Sequence, residues 1–145
     1  MMAEKKLNVL FICIHNSARS QMAEAFLNQF AGDRFAAQSA GLEKGSLNPL
    51  AVAVMAELGI DIASNQTKDV ASVLQRGDGF DLVITVCDDA NAERCPIFPG
   101  KAQRMHWSFS DPSALQGTTA EKLRKTREIR DAIKFRIDDW LASMS

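Results

Sequence analysis

The loop from Cys13 to Ser20, with the sequence CIHNSARS, constrains the fold of this chain more than any other stretch. The apolar residues 7–12 before it predict a buried strand, and residues 21–30 after it predict a helix. A strand, a tight loop and a helix N-terminus, in that order, bring backbone N–H groups and the positive end of a helix dipole together. The sequence therefore predicts an anion-binding site in this loop.

Three side chains of the loop add chemistry to that site. Cys13 stands at its first position, where the positive potential also stabilises a thiolate. Arg19 can offer its planar set of donors to two oxygens of a tetrahedral oxyanion. Ser20 can donate its hydroxyl to the sulfur or cap the helix. The alternative is a buried cysteine beside a surface arginine, but the strand–loop–helix context favours a cysteine nucleophile aimed at a phosphate-like anion.

Length and composition place the chain among ordinary globular proteins. Its 145 residues predict one domain spanning 1–145, with 46% hydrophobic and 24% charged residues. A net charge of −1 gives no support for binding to nucleic acid or to an anionic membrane. Residues 1–6 contain no signal-peptide core, and no apolar run reaches transmembrane length, so we expect a cytoplasmic protein. Three cysteines in such a chain favour chemistry or packing over structural disulfides.

Strand-like and helix-like stretches alternate along the chain, which predicts an α/β fold with a parallel sheet and helices on both faces. Asn48 before a proline marks one helix start, Thr67 is the expected cap of a short helix, and Thr118 or Thr119 caps the last one. The predicted strands are residues 7–12, 35–40, 81–86 and 102–107, and the predicted helices are residues 21–30, 49–58, 68–74 and a long segment after 119.

Two cysteines follow predicted strands, at the edge where ligands of parallel sheets bind. Cys13 ends the first strand and Cys87 ends the third, and we expect these strands to be neighbours. Cys95 lies in the polar loop after Cys87 and could be brought to it. A small buried apolar residue remains an equally good interpretation of Cys87 and a less natural one of Cys95.

Asp111 follows the fourth predicted strand and so falls at the same edge as Cys13. The dipeptide Asp111-Pro112 is a common turn start, which is the alternative interpretation. Combined with the Cys13 loop, a carboxylic acid at this place favours a general acid that protonates a leaving oxygen.

Several stretches resemble the thioredoxin-coupled arsenate reductases, which share the fold and loop of low-molecular-weight protein tyrosine phosphatases. These stretches are CIHNSARSQMAEA (13–25), SAG (39–41), GIDI (59–62), VCDDA (86–90), CP (95–96) and HWSFSDP (106–112). The resemblance spans nearly the whole chain and implies a single phosphatase-like domain with a four-stranded parallel sheet in the order 2-1-3-4. The three-cysteine arrangement is specific to the reductases, whereas the loop also fits the phosphatases.

The resemblance implies a role for each matching residue. Cys13 is the nucleophile, Arg19 the oxyanion clamp, Ser20 the partner of the thiolate and Asp111 the general acid, and Cys87 and Cys95 are the second and third redox cysteines. The oxyanion-binding loop is Ile14, His15, Asn16, Ser17, Ala18 and Arg19, in which Asn16 holds the shape. Ala18 stands where many relatives have an additional cysteine.

The resemblance implies no tightly bound cofactor, although some members of the family bind potassium beside the loop. The matching residues are Asn16, Glu24, Ser39, Thr67 and Asp69.

The activity that these features favour is reduction of arsenate to arsenite, with thioredoxin as the reductant, in arsenic detoxification. Phosphate or sulfate would compete for the loop, and we expect a monomer. A second hypothesis is phosphomonoester hydrolysis through Cys13, Arg19 and Asp111, against which the absence of tyrosine argues because an aromatic pair lines many phosphotyrosine clefts. A third is a redox-sensing or anion-binding module with an oxidisable thiol.

Overall fold

The computed structural model describes residues 6–77, 79–87 and 102–144. The strands are β1 (Leu7–Cys13), β2 (Phe35–Gly41), β3 (Leu82–Thr85) and β4 (Gln103–His106). The helices are α1 (Arg19–Ala31), α2 (Pro49–Ala56), α3 (Val70–Gln75) and α4 (Thr119–Ser143), and a 3-10 helix spans Pro112–Ala114. The predicted strands and helices are therefore present, with ends that differ by a few residues.

The four strands form one parallel sheet in the order β2-β1-β3-β4, which confirms the predicted fold class and strand order. β1 is central because its last five residues are buried and, apart from the cysteine, strongly apolar, as suits a strand covered on both faces. β4 lies at the edge and is mostly exposed. Since all strands run the same way, the residues that follow β1, β3 and β4 lie at one edge of the sheet.

Helices cover both faces of the sheet, as predicted. On one face Phe11 and Ile84 pack with residues of α1, α2 and α4, and on the other Leu10 and Val83 pack with α3. The buried apolar residues of α4 are Ile129, Ile133, Ile137 and Trp140. In the described ranges no helix combines the length and apolarity that crossing a bilayer requires.

The caps of α2 and α4 confirm two of the predicted helix starts. The Asn48 side chain accepts a hydrogen bond from the Leu50 amide, and Pro49 occupies the first position of α2. The Thr118 side chain accepts from the Glu121 amide while the Glu121 carboxylate accepts from the Thr118 amide. This reciprocal pair satisfies two N–H groups at the start of α4.

The cap predicted for the short helix α3 was wrong. Asp69, and not Thr67, accepts a hydrogen bond from the Ser72 amide at 2.9 Å. The chain stays extended through residue 69 because the Gly41 amide donates to the Lys68 carbonyl and Gly41 pairs with Asp69 in a parallel bridge. The Thr67 hydroxyl instead donates to the Gly45 carbonyl at 2.6 Å.

Candidate oxyanion and thiol site

The backbone of the loop between β1 and α1 points its carbonyls away from the loop centre. The carbonyls of Cys13, Ile14, His15 and Ser17 accept hydrogen bonds of 2.8–3.0 Å from the amides of Leu42, Glu43, Gly45 and Asn48. Among the described residues, no partner is found for the amides of residues 14–18. The first residue before α1, Ala18, caps the helix with no side-chain hydrogen bond. These N–H groups are therefore available to an anion, as the sequence predicts.

Asn16 connects the loop to two neighbouring segments. It is fully buried and adopts a left-handed backbone conformation with φ of 57°, which asparagine tolerates better than most residues. Its Oδ1 accepts hydrogen bonds from the Lys68 amide at 2.9 Å and from Gln21 Nε2 at 3.1 Å. Its Nδ2 donates to Ser20 Oγ at 2.8 Å.

The contact between Cys13 and Ser20 is short and buried. Their Sγ and Oγ atoms are 2.9 Å apart, and both residues are buried. Because the Lys68 amide can only donate, it fixes which end of the Asn16 side chain is oxygen, and so the Asn16 nitrogen faces Ser20. The Ser20 oxygen accepts that bond, which leaves its own proton free to be donated to the sulfur. Ser20 does not cap α1, whose N-cap is Ala18, and its role as the partner of the thiolate stays a prediction.

Arg19 and Asp111 lie together at the mouth of this loop. The Arg19 side chain is 3% exposed, and its Nη1 donates to the Phe109 carbonyl at 3.2 Å. Its Nη2 lies 3.5 Å from Asp111 Oδ2. The other oxygen of Asp111 accepts from the Ser113 amide at 2.9 Å, which starts the 3-10 helix. The structure thus brings the predicted acid to the predicted oxyanion clamp.

Two of the three cysteines lie at the same edge of the sheet. β1 and β3 are hydrogen-bonded neighbours, with Ile12 level with Thr85, so Cys87 lies one residue past the position level with Cys13. Both cysteine residues are 2% exposed, and neither is in a disulfide. Cys95 falls within residues 88–101, outside the described residues, and its predicted approach to Cys87 stays a prediction.

The five residues matched to potassium by resemblance have different surroundings. Ser39 donates to Glu24 Oε1 at 3.0 Å, and burial raises the pKa of the Glu24 carboxyl, partly opposed by that hydrogen bond and by the charge of Lys68. The Asn16 oxygen already accepts two N–H groups, while Thr67 and Asp69 bond to Gly45 and Ser72. These residues fit an ion only in part, and potassium binding stays a prediction.

The sequence did not predict the role of residues 41–48, whose amides donate hydrogen bonds to the carbonyls of the loop. The signal for it was the glycines, because an added Cβ at Gly41 would lie 2.6 Å from the Asn16 nitrogen and 2.7 Å from the His15 carbonyl carbon. The backbone of the loop and that of Gly41 thus approach too closely for any side chain. Gln21, which bonds to Asn16, carried no comparable signal in the sequence.

Replacing Gly41 by alanine should therefore displace the loop. We expect a loss of about 1–3 kcal/mol in unfolding free energy, typical of overpacking, together with weaker protection of Cys13 by phosphate against alkylation. Urea unfolding and alkylation with and without phosphate measure the two effects. Gly79→Ala is the matched control, since a Cβ there meets nothing within 4 Å. Equal behaviour of the two variants would contradict the close contact.

Replacing Ser20 by alanine removes the proposed hydrogen bond to the Cys13 thiolate. We expect alkylation of Cys13 by iodoacetamide at pH 7 to slow about tenfold or more, because a hydrogen bond to a charged group contributes about 1.5–3 kcal/mol. Mass spectrometry of the labelled peptide isolates Cys13 from the other thiols. The exposed Ser64→Ala serves as control. An unchanged rate in Ser20→Ala would remove Ser20 from thiolate stabilisation.

Several known proteins are similar to this chain in sequence and in fold. The model of the family "low molecular weight phosphotyrosine protein phosphatase" matches residues 8–145. The arsenate reductase of Bacillus subtilis (strain 168) is 45% identical over 134 residues, which is 91% of this chain and 93% of that protein. A solved arsenate reductase in the phosphate-binding state superposes with a TM-score of 0.73 at 30% identity, covering 96% of this chain and 99% of that one.

A thioredoxin-dependent arsenate reductase of Corynebacterium glutamicum superposes with a TM-score of 0.71 at 31% identity, covering 98% of this chain and 63% of that one. The matches to these three proteins cover 91–98% of this chain. With nearly its whole length matched, the chain belongs to the low molecular weight phosphotyrosine protein phosphatase family.

Proposed function

We propose that this protein reduces arsenate to arsenite through Cys13, Cys87 and Cys95, with thioredoxin as the final reductant. The observation that carries the proposal is the position of Cys87, a second buried thiol at the end of the strand next to that of Cys13. A phosphatase needs only the nucleophile, the arginine and the acid. The arsenate reductases among the relatives, at 45% and 30% identity, support the same activity.

In the first step the Cys13 thiolate attacks the arsenic of arsenate held by the loop amides and Arg19. A sulfur–arsenic bond forms, and one oxygen leaves as water after protonation by Asp111. The contact of Arg19 with Asp111 at 3.5 Å supports this assignment, because it holds the acid beside the residue that binds the oxyanion. The Ser20 hydroxyl stabilises the thiolate before attack.

Electron transfer follows in the second step. The Cys87 thiolate attacks the Cys13 sulfur, a disulfide forms, and the sulfur–arsenic electron pair stays on arsenic, which leaves as arsenite. Cys95 then attacks Cys87, releases Cys13 as a thiolate and moves the disulfide to Cys87–Cys95. A thioredoxin dithiol reduces that disulfide and becomes oxidised itself. Phosphorus is not reduced in this way, so a phosphorylated Cys13 would wait for water.

Phosphomonoester hydrolysis is the second candidate. It is favoured by the grouping of Arg19 and Asp111 at the Cys13 loop, which needs no other cysteine. The loop alone distinguishes poorly between arsenate and phosphate, because the two anions are alike in shape and charge.

Thioredoxin-dependent turnover separates the candidates. With thioredoxin, thioredoxin reductase and NADPH, we expect arsenate to drive NADPH oxidation in the wild type and to fail beyond the first cycle in Cys87→Ser and Cys95→Ser. Unchanged turnover in either variant removes that cysteine from the mechanism. Cleavage of phenyl phosphate without arsenate turnover favours the phosphatase, and absence of both reactions favours a sensing or anion-binding module. The cytoplasmic location, the monomeric state and the role in arsenic detoxification belong to the same proposal.

A further inference from the structure

Residues 65–69, here called the strap, lie directly before α3 and contact the loop between β1 and α1. The Lys68 amide donates to Asn16 at 2.9 Å, and the Lys68 carbonyl accepts from the Gly41 amide at 2.8 Å. The Gln66 carbonyl accepts from Gln21 Nε2, and Asn65 Nδ2 donates to Gln21 Oε1, both at 3.1 Å. The strap therefore contacts both the loop and the first turn of α1, and Lys68 is its central contact.

A cavity of about 250 Å³ lies between the strap and α1. Its lining residues are Gln21, Glu24, Asn65, Gln66 and Lys68. Glu24 is the one acidic side chain of this lining and Lys68 the one basic side chain. A partly buried carboxylate is costly unless a positive charge faces it. The charge of Lys68, which lines the same cavity, opposes the effect of burial on the Glu24 carboxyl together with the hydrogen bond from Ser39, although burial is the larger effect and the pKa of Glu24 stays raised.

We propose that Lys68 is a positioning residue whose ammonium group supplies a built-in positive charge for Glu24 and so holds the strap in the place that orients Asn16. Three contacts connect the position of the strap to the nucleophile Cys13. The Lys68 amide fixes the Asn16 side chain, Asn16 donates to Ser20, and Ser20 contacts the Cys13 sulfur. This inference deepens the proposed function, because it rests on Cys13 as the nucleophile.

Because the Lys68 ammonium group belongs to the chain itself, no dissolved cation is needed to supply positive charge next to Glu24. The inference therefore differs from the potassium prediction, in which an ion supplies the charge next to Glu24. Removing the ammonium group while keeping the length of the side chain, as in Lys68→Met, leaves Glu24 with its hydrogen bond from Ser39 but without the positive charge that lines the same cavity. A small cation from solution could then take over that position.

The test measures alkylation of Cys13 by iodoacetamide at pH 7, read by mass spectrometry, in the absence of arsenate. We expect Lys68→Met to react about fivefold more slowly than the wild type, the upper scale of one charge–charge interaction near a protein surface. Potassium or ethylammonium chloride should restore the rate and raise the melting temperature of this variant, whereas tetramethylammonium chloride at equal ionic strength should not. Lys68→Arg should react like the wild type, because it keeps the charge.

The matched control is Lys6→Met, which removes an exposed lysine just before β1, at the end of the sheet away from Cys13. It should react like the wild type in all three salts. The double variant Glu24→Gln/Lys68→Met should recover the rate lost in Lys68→Met, since neither charge then remains. This variant also covers the case in which Lys68→Met alone folds poorly.

Two results would overturn the proposal. One is a wild-type protein whose alkylation rate or melting temperature already rises with potassium but not with tetramethylammonium, which would assign the charge to a dissolved ion. The other is a Lys68→Met variant indistinguishable from Lys6→Met. Failure of the proposed function would look different, because arsenate turnover would be absent while the cation effects on Cys13 persisted.

Discussion

Replacing Cys13 by serine is expected to abolish arsenate turnover while leaving the anion-binding loop intact. Serine keeps the size and the contact with Ser20, but its hydroxyl is a far weaker nucleophile and cannot form a disulfide with Cys87. The loop amides and Arg19, which we propose as the groups that bind the anion, are untouched by the change. NADPH oxidation coupled to thioredoxin measures the loss, and it should fall to the rate without enzyme.

Anion binding supplies the control for that variant. Phosphate should still raise the melting temperature of Cys13→Ser, because a ligand that binds only the folded state stabilises it in proportion to the logarithm of its concentration. Residual turnover above background in Cys13→Ser would mean that another thiol attacks arsenate. Loss of the phosphate effect would show instead that the substitution had disrupted the loop.

Replacing Arg19 by lysine is expected to lower kcat/KM for arsenate by about 100- to 1000-fold, the usual cost of removing one oxyanion donor. Lysine keeps the positive charge but loses the planar pair of donors that suits two oxygens of one anion. It would also lose the hydrogen bond to the Phe109 carbonyl and the contact with Asp111, so the acid would be less well positioned.

Arg34→Lys is the matched control, because Arg34 is exposed and precedes β2 at the end of the sheet away from Cys13. Its kcat/KM should equal that of the wild type. A decrease of less than tenfold in Arg19→Lys would show that charge alone suffices, and the geometric role assigned to the guanidinium would be wrong.

The sequence predicts the order of the strands and helices and the position of the Cys13 loop, because both follow from local patterns of residues. The last residues of β1 form an apolar run because the strand is covered on both faces, and such a run can be recognised in the sequence alone. The loop follows it directly, so Cys13 and Arg19 could be placed at the sheet edge from the order of elements alone. Asp111 was placed there by its position after β4, and the structure brings it to Arg19.

Contacts between distant segments were beyond the reach of the sequence. Thr67 and Asp69 are both good cap residues, and only the pairing of Gly41 with Asp69 decides between them. The start of α1 at Arg19, two residues before the predicted one, was hidden because Arg19 and Ser20 are polar residues buried by the site itself. The same holds for Lys68, whose role depends on residues more than forty positions away in the chain.

The most direct test of the account is to trap the relay after one turnover. Cys95→Ser, fully reduced and mixed with excess arsenate without thioredoxin, should release one arsenite per protein and retain a disulfide between Cys13 and Cys87, identified by peptide mapping. Arsenite release with Cys87 still recovered as a free thiol, or no arsenite at all from a folded variant, would contradict reduction by this pair of cysteines.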